Sequence, residues 1–281
     1  ENLRFHPGET KNDPELARAL AGLADVYVND AFGTAHRAHA STAGILDHVK
    51  ACAAGDLMLR EIENLRAVRE PERPLLCLLG GAKVSDKLAV LEALAPHADV
   101  IAVGGAMAYT FLRALDRDVG SSLVEEERAD DARRVMDAAE KAGHRLLLPV
   151  DHVVVRELRE DADSQVVETI PEGWMGVDVG PRTAERYAEE ARRARTVFWN
   201  GPMGVFEMEP FAKGTEAVAR AVADSEAFSV VGGGDSLAAV NRVGVGESIG
   251  HLSPGGGASL EFVQGRSRPG LEALRSAGGK A

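Results

Sequence analysis

The chain has 281 residues, enough for about two domains of average size, and its 45% hydrophobic and 27% charged residues are an ordinary balance for a protein that buries its own core. Lys and Arg number 32 against 44 Asp and Glu, so the formal net charge is -12, a field that repels nucleic-acid phosphates and anionic lipid and excludes both as expected partners. No apolar run approaches the roughly 20 residues of a membrane-spanning helix, and the two cysteines, Cys52 and Cys77, build no disulfide framework, which fits a reducing compartment and an expected cytoplasmic location.

In chain order, the sequence opens on Glu1-Asn2-Leu3, with neither an initiator Met nor a signal-peptide pattern. Arg4 follows, and Val26 to Asp30 reads as a strand entering the polar loop Ala31 to Ser41. His36 and His39 in that loop suggest a metal, but no third ligand stands nearby and Arg37 between them would repel a cation. Arg37 and Arg4 suit a phosphate or carboxylate better, since a guanidinium binds either bidentately. A helix is expected from about Asp56 to Arg69, and Pro71 to Pro74 interrupts it, marking the best domain boundary.

Beyond the prolines a pattern recurs: a short apolar run, glycines, then a helical stretch. The runs are Leu75 to Leu79, Val100 to Val103, and Phe228 to Val231, with His144 to Val155 and Thr196 to Trp199 as further strands. Runs apolar on both faces and alternating with helices predict a doubly wound, Rossmann-like parallel α/β sheet. Val124 to Ala142 reads as a helix with Glu125, Glu126 and Glu127 in its first turn, and Thr183 to Arg195 as another, with Thr183 placed to cap it. No fixed-period repeat occurs, and Ser276 to Ala281 reads as a frayed tail.

The thirty glycines gather in loops: Gly80-Gly81-Ala82-Lys83, Gly232-Gly233-Gly234-Asp235-Ser236 and Gly255-Gly256-Gly257-Ala258-Ser259. Beyond the carboxyl ends of parallel strands, such loops let a phosphate approach the backbone and meet the free N–H groups of a helix start. Neither GxxxxGK[ST] nor GxGxxG is present, which weakens the common ATPase and dehydrogenase readings. Lys83 and Lys87, four apart, share one side if the segment opens a helix. Asp235 combines a hard oxygen ligand with a helix start, as a magnesium ion on nucleotide phosphates needs, or serves as a plain N-cap.

Together these residues resemble the phosphoglycerate kinase family. The resemblance rests on Glu1 to His6 (ENLRFH), Ala24 to Thr42, Gly80 to Lys87 (GGAKVSDK), Gly105 to Leu112, Pro171 to Pro181, Phe198 to Glu207 (FWNGPMGVFE), Val231 to Ser236 and Gly255 to Glu261, in this order. It implies a two-domain, hinge-bending enzyme that moves a phosphoryl group between 1,3-bisphosphoglycerate and ADP with Mg2+, giving 3-phosphoglycerate and ATP, and that is monomeric at full length. It also implies roles for particular residues. Lys83 and Lys87 would neutralise the nucleotide phosphates and the group in flight, Asp235 would hold magnesium through the nucleotide, and Ser236 with the amides of Gly232, Gly233 and Gly234 would bind phosphate oxygens. Asn200 would approach the phosphates and Glu207 the ribose, while Gly105, Gly176 and Val177 would line the adenine slot. Gly257 would help stabilise the transferring phosphoryl, and Arg4 and Arg37 would grip the 3-phosphate of the glycerate.

Three departures accompany the resemblance. The family's Asp-x-Asn and His-Leu-Gly-Arg motifs and a catalytic arginine, which serve the glycerate end, have no counterpart in the 281 residues. Ala106 stands where a third glycine is usual, and Pro254 where Thr is usual. The expected organisation is therefore residues 1–55 as part of a glycerate-binding amino-terminal domain, 56–73 as an interdomain helix and joint, 74–265 as the nucleotide domain and 266–281 as a tail. The expectation is an amino-terminally incomplete kinase that binds nucleotide but turns over weakly or not at all by itself. A non-catalytic nucleotide-binding module of the same fold is the alternative, and an NAD-dependent dehydrogenase a third reading, weakened by the missing fingerprint.

Overall fold

The computed structural model describes residues 2–278; Glu1, the first residue of the motif Glu1 to His6, and residues 279–281 of the expected tail lie outside the described residues. The chain forms two compact units, Glu1–Arg66 with Pro254–Ala281, and Ala67–Ser253.

In the first unit, α1 (Pro14–Ala21) starts where Asp13 accepts the backbone N–H of Leu16 at 2.9 Å and Pro14 occupies the first turn. Strands β1 (Val26–Asn29) and β2 (Ala51–Ala54) pair in parallel, Val26 with Ala51 through Asn29 with Ala54. Much of the remaining unit is irregular and is pinned by polar side chains. The buried Glu9 carboxylate accepts the Ser41 hydroxyl at 2.6 Å and the Ser41 N–H at 3.1 Å, Asn12 Oδ1 accepts Gly44 N–H at 3.0 Å, and Asp30 Oδ1 accepts Met58 N–H at 2.9 Å. The division between units falls inside α2 (Asp56–Arg69), a few residues before the expected proline joint.

The second unit is built on a parallel sheet. Its strands are β3 (Leu75–Leu79), followed by α3 (Leu88–Leu94), then β4 (Val100–Val103), α4 (Met107–Ala114), α5 (Ala129–Lys141) and β5 (Arg145–Leu147). A separate antiparallel sheet of β6 (His152–Val155), β7 (Gln165–Val167) and β8 (Met175–Val179) precedes α6 (Pro181–Arg193). The main sheet then resumes with β9 (Thr196–Asn200), α7 (Lys213–Ala223), β10 (Phe228–Gly232), α8 (Gly234–Val243) and β11 (His251–Ser253). Among the described residues its order is β11-β10-β9-β3-β4-β5. Every residue of β3 and β9 is buried, as strands covered on both faces require. Leu76, Leu78, Val197 and Trp199 pack with Tyr187 and Ala191 of α6 and Val218 of α7.

Several expected elements take a different form. The run His144 to Val155 splits into β5 and β6, because Pro149 between them has no N–H to donate to a ladder. The helix expected from Val124 begins only at Ala129, since Glu125 turns its carboxylate to another loop. Thr183 does not cap α6 from its first residue. Asp151 does so across the fold, accepting the N–H groups of Arg182 at 3.0 Å and Thr183 at 2.8 Å, while the Thr183 hydroxyl donates to it at 2.6 Å.

The chain's last elements correct the expected boundary. Helices α9 (Gly257–Val263) and α10 (Pro269–Gly278) belong to the first unit, although 74–265 is expected as the nucleotide domain and 266–281 as a tail. The cause is packing: the Phe262 ring lies 6.1 Å from that of Phe32, and Gly270 donates its N–H to Ala35 O at 3.0 Å.

Candidate active site

The sheet order sets the place for a ligand in the second unit. From β3 the chain winds one way to β4 and β5, and β9 returns to the other side of β3 before winding to β10 and β11. The switch point therefore lies at the carboxyl ends of β3 and β9, where open α/β sheets bind ligands. Gly80-Gly81 leaves β3 there and Asn200-Gly201 leaves β9. The two turns are knitted together by Gly80 N–H to Asn200 O at 3.0 Å and Gly81 N–H to Pro202 O at 3.1 Å. The turn after β4 joins them, with Gly105 N–H on Met203 O at 2.8 Å and Met107 N–H on Gly81 O at 3.0 Å. A Cβ on Gly105, whose φ is +66°, would lie 2.5 Å from Gly81 O, so this junction needs glycine for both space and conformation.

Lys87 ends the turn at the foot of α3 and is half-buried. Its ammonium donates to Asn200 Oδ1, and Asn200 Nδ2 donates in turn to Gly232 O at 2.6 Å. Burial holds the Lys87 ammonium below the usual lysine range, against the opposing pull of Asp86 and Asp235. Among the described residues no carboxylate lies within ion-pairing distance of it. An arriving phosphate would supply the missing counter-charge. Lys83 is exposed in the loop ahead of α3, so the helical spacing expected for the two lysines is not realised; the turn, not a helix face, brings both to this edge.

The glycine triplet after β10 completes the edge. Gly233, with φ +93°, leads into α8, whose first residue is Gly234. A Cβ on Gly234 would meet nothing within 4 Å and its φ is not left-handed, so neither packing nor backbone demands glycine there, and the start of α8 is open. Asp235 is exposed in the first turn of α8 and caps nothing, since the N-cap Gly233 has no side chain. Ser236 is buried, and its Oγ accepts Gly201 N–H at 2.5 Å, which ties the triplet to the β9 turn. No group of three or more potential ligands occurs among the described residues. Asp235 alone therefore suits a hard cation that arrives with phosphates rather than a resident one.

Gly176 and the buried Val177 lie on β8 and join the same loops. Val205 N–H bonds Val177 O at 2.8 Å, and Gly176 N–H bonds Ser122 Oγ at 2.9 Å. A Cβ on Gly176 would collide with the Tyr109 hydroxyl. Glu207 is exposed at the end of the β9 loop, whose backbone Arg242 holds through Phe206 O at 2.5 Å and Glu207 O at 3.2 Å.

The first unit gathers a separate set of positive groups. Arg4 sits in a short 3-10 turn started by Asn2, whose Oδ1 accepts Arg4 N–H at 2.9 Å. Arg37 is exposed and donates through Nε to His36 Nε2 at 3.0 Å. His39 is buried 3.6 Å from Glu9, and its imidazole is held below its usual range by burial and by the charges of Arg4, Arg37 and His36, against the opposite pull of Glu9. Gly255 packs on Phe32, and Gly257 opens α9 with nothing within 4 Å of where its Cβ would lie. The triplet holding Gly257 thus belongs to this unit, and not with the two glycine loops of the sheet.

The family model described as phosphoglycerate kinase matches residues 1–266. The chain belongs to the phosphoglycerate kinase family. It is 57% identical over 277 residues to the phosphoglycerate kinase of Rubrobacter xylanophilus and 56% identical over 277 residues to that of Moorella thermoacetica, in each case covering 98% of this chain and 70% of the relative. The structure of phosphoglycerate kinase from Coxiella burnetii matches with a TM-score of 0.94 at 44% identity, over 98% of this chain and 72% of that one. That of Pyrococcus horikoshii phosphoglycerate kinase matches with 0.84 at 35% identity, over 100% and 73%. Membership places the chain among the glycolytic kinases, and among the described residues no helix is long and apolar enough to cross a membrane.

Against this phosphoglycerate kinase background two of the departures are local. The extra methyl of Ala106 packs with Tyr109, Leu112 and Val119, and Pro254 is exposed just before the last glycine triplet. Sequence reasoning passed over His36 and His39 once a metal was set aside, yet both stand with Arg4 and Arg37; the cue was their spacing around Arg37. It also missed the segment Gly120 to Glu125, where Ser122 and Glu125 reach two different loops and no glycine-rich pattern marks them.

Proposed function

We propose that the crevice at the ends of β3, β9 and β10 binds Mg-ADP or Mg-ATP, and that this phosphoglycerate kinase chain serves phosphoryl transfer between 1,3-bisphosphoglycerate and ADP. The observation that carries the reading is Lys87: a half-buried ammonium at the switch point, hydrogen-bonded to the Asn200 amide rather than to a carboxylate, beside an open helix N-terminus at Gly234. Lys83, Lys87 and the amides of Gly232, Gly233 and Gly234 take the phosphate oxygens. Asn200 and Ser236 fix the turns that present them. Gly105, Gly176 and Val177 form the wall for the base and Glu207 meets the ribose. Asp235 would hold a Mg2+ carried by the nucleotide, which would supply neutralisation of phosphate charge there. Arg4 and Arg37 take the 3-phosphate of the glycerate, and Gly257 offers its N–H to the transferring group.

In the transfer an oxygen of the ADP β-phosphate bonds to the phosphorus of the acyl phosphate, and the bond from that phosphorus to the carboxyl oxygen breaks. The carboxylate leaves without needing a proton, so neither a general base nor a protein nucleophile is required. Positioning and charge neutralisation suffice, and the residues named supply both.

Calorimetry with Mg-ADP tests the site. Lys87→Met removes charge-assisted bonds worth about 1.5–3 kcal/mol, so affinity falls about ten- to a hundredfold. Undetectable binding by the folded wild-type chain sinks the assignment. A coupled assay with both substrates tests the catalytic part: turnover by these 281 residues alone is expected to be weak, because none of them supplies the Asp-x-Asn and His-Leu-Gly-Arg motifs. Turnover at the level of full-length relatives would refute that expectation. Nucleotide binding with no turnover in any length of the protein would favour the non-catalytic module.

A further inference from the structure

The loop carrying Lys83 and Lys87 has few ties of its own, because α3 begins only at Leu88 and Lys87 at its foot makes no capping bond. Its two ends are tied to the β9 turn through Gly80, Gly81 and Lys87, and its middle is held from the segment between α4 and α5. Glu125 Oε1 accepts the Ser85 hydroxyl at 2.6 Å and Oε2 accepts the Ser85 N–H at 3.0 Å. The N–H of the buried Val84 also lies near enough to favour the charged form of the same carboxylate. Glu125 is itself anchored, its N–H donating to the hydroxyl of the buried Thr110 at 3.1 Å. Partial burial raises the Glu125 carboxyl, but the Ser85 bonds, the nearby Val84 N–H and the charge of Lys83 outweigh it and hold the group below the usual carboxylate range.

The same segment grips the opposite wall. Three residues earlier, Ser122 Oγ accepts Gly176 N–H at 2.9 Å, and Ser121 N–H bonds Trp174 O at 2.7 Å. Gly120, with φ +55°, lies so close to the chain at Pro171 that a Cβ would stand 2.6 Å from Pro171 O. One strap, Gly120 to Glu125, thus holds the Gly176 wall at one end and the lysine loop at the other.

We infer that Glu125 is a positioning residue for nucleotide phosphates: by clasping Ser85 it sets where Lys83 and Lys87 stand relative to the wall that receives the base. The inference rests on the nucleotide reading given above. Glu125 touches neither base nor phosphate. Its removal should leave binding of a nucleoside unchanged and weaken binding of its diphosphate.

Affinities of the folded chain for ADP with Mg2+ and for adenosine provide the test. Glu125→Ala is expected to lower ADP affinity about tenfold, the scale of losing one or two charge-assisted bonds that hold the loop, with adenosine affinity within about twofold of wild type. Glu125→Gln keeps an acceptor for Ser85 N–H and a donor for its hydroxyl, and restores ADP binding to within about threefold. Ser85→Ala, combined with Glu125→Ala, adds little to the single loss if the two act as one clasp. Equal weakening of ADP and adenosine overturns the inference in favour of general support of the unit, and so does no change in either. Undetectable ADP binding by the wild-type chain removes the nucleotide reading and the clasp with it, whereas wild-type ADP binding that Glu125→Ala leaves unchanged removes the clasp alone. Should Glu125→Ala fail to fold, Glu125→Gln and Ser85→Ala carry the same comparison: Ser85→Ala must selectively weaken ADP, and Glu125→Gln must not.

Discussion

The two units are held by different means. In Ala67–Ser253 the strands β3 and β9 are buried at every residue and apolar side chains fill the space between sheet and helices. In the other unit β1 alternates exposed and covered residues, with Val26 and Val28 more than half exposed, and beside an apolar core that includes Phe32, Leu46 and Phe262, side chains reach distant backbone groups: Glu9 to Ser41, Asn12 to Gly44, Asp30 to Met58. A fold held by burial yields gradually to loss of volume, whereas one held by polar pins yields at the pins and little elsewhere. Apolar truncation should therefore injure the sheet unit, and loss of single acceptors the other.

The largest expected effect is on the sheet. Trp199→Ala empties a wholly buried site in β9 and is expected to cost about 3–5 kcal/mol, read by hydrogen exchange over residues 67–253. A loss under 1 kcal/mol would break the contrast. Next comes Asp178, buried on β8, whose carboxyl is pushed up to about 7 chiefly by burial and further by Glu216, against the N–H bonds from Gly214 and Val179. A carboxyl whose pKa is higher folded than unfolded binds more protons in the folded state, so its contribution falls as pH rises from about 4 to about 7. The drop is on the order of 2–4 kcal/mol. His152, lowered to about 4 by burial, acts with the opposite sign, losing stability as pH falls below its ordinary value. Comparing wild type with Asp178→Asn across pH 4 to 8 isolates the Asp178 share; parallel curves would show that it has none.

Glu9→Ala sharpens the other side. It leaves the Ser41 N–H and hydroxyl without their acceptor and should cost about 1–3 kcal/mol, seen as faster exchange in residues 9 and 40–45 with none in β3 or β9. Smallest is Val28→Thr on exposed β1, expected within about 0.5 kcal/mol of wild type. A loss as large as that of Glu9→Ala would mean that β1 is supported by apolar contact after all.

Legibility followed the same division. Leu75 to Leu79 and Val100 to Val103 were readable to the residue, because a run apolar on both faces and stopped by glycine admits few other structures. The glycine turns and Lys87 were legible for the same reason, since each strand end is punctuated in the sequence. The capping of α6 by Asp151 was not, for its partner Thr183 lies 32 positions away and local rules offered Thr183 itself as the cap. The joining of α9 and α10 to the amino-terminal unit was hidden as well: Phe262 carries no mark of its pairing with Phe32. Glu125 was read as one of three acids in a helix start, and only its bond to Ser85, 40 positions back, shows that it is not.

The sheet order also bears on how the chain comes to be folded. Leu75 of β3 pairs with Thr196 of β9, and until β9 has been synthesised one edge of the apolar strand Leu75–Leu79 has no neighbour; β4 alone can join it. The pairing at the centre of the sheet thus waits for all the chain between β3 and β9, which slows folding and lengthens the time for which that edge is open to other nascent chains.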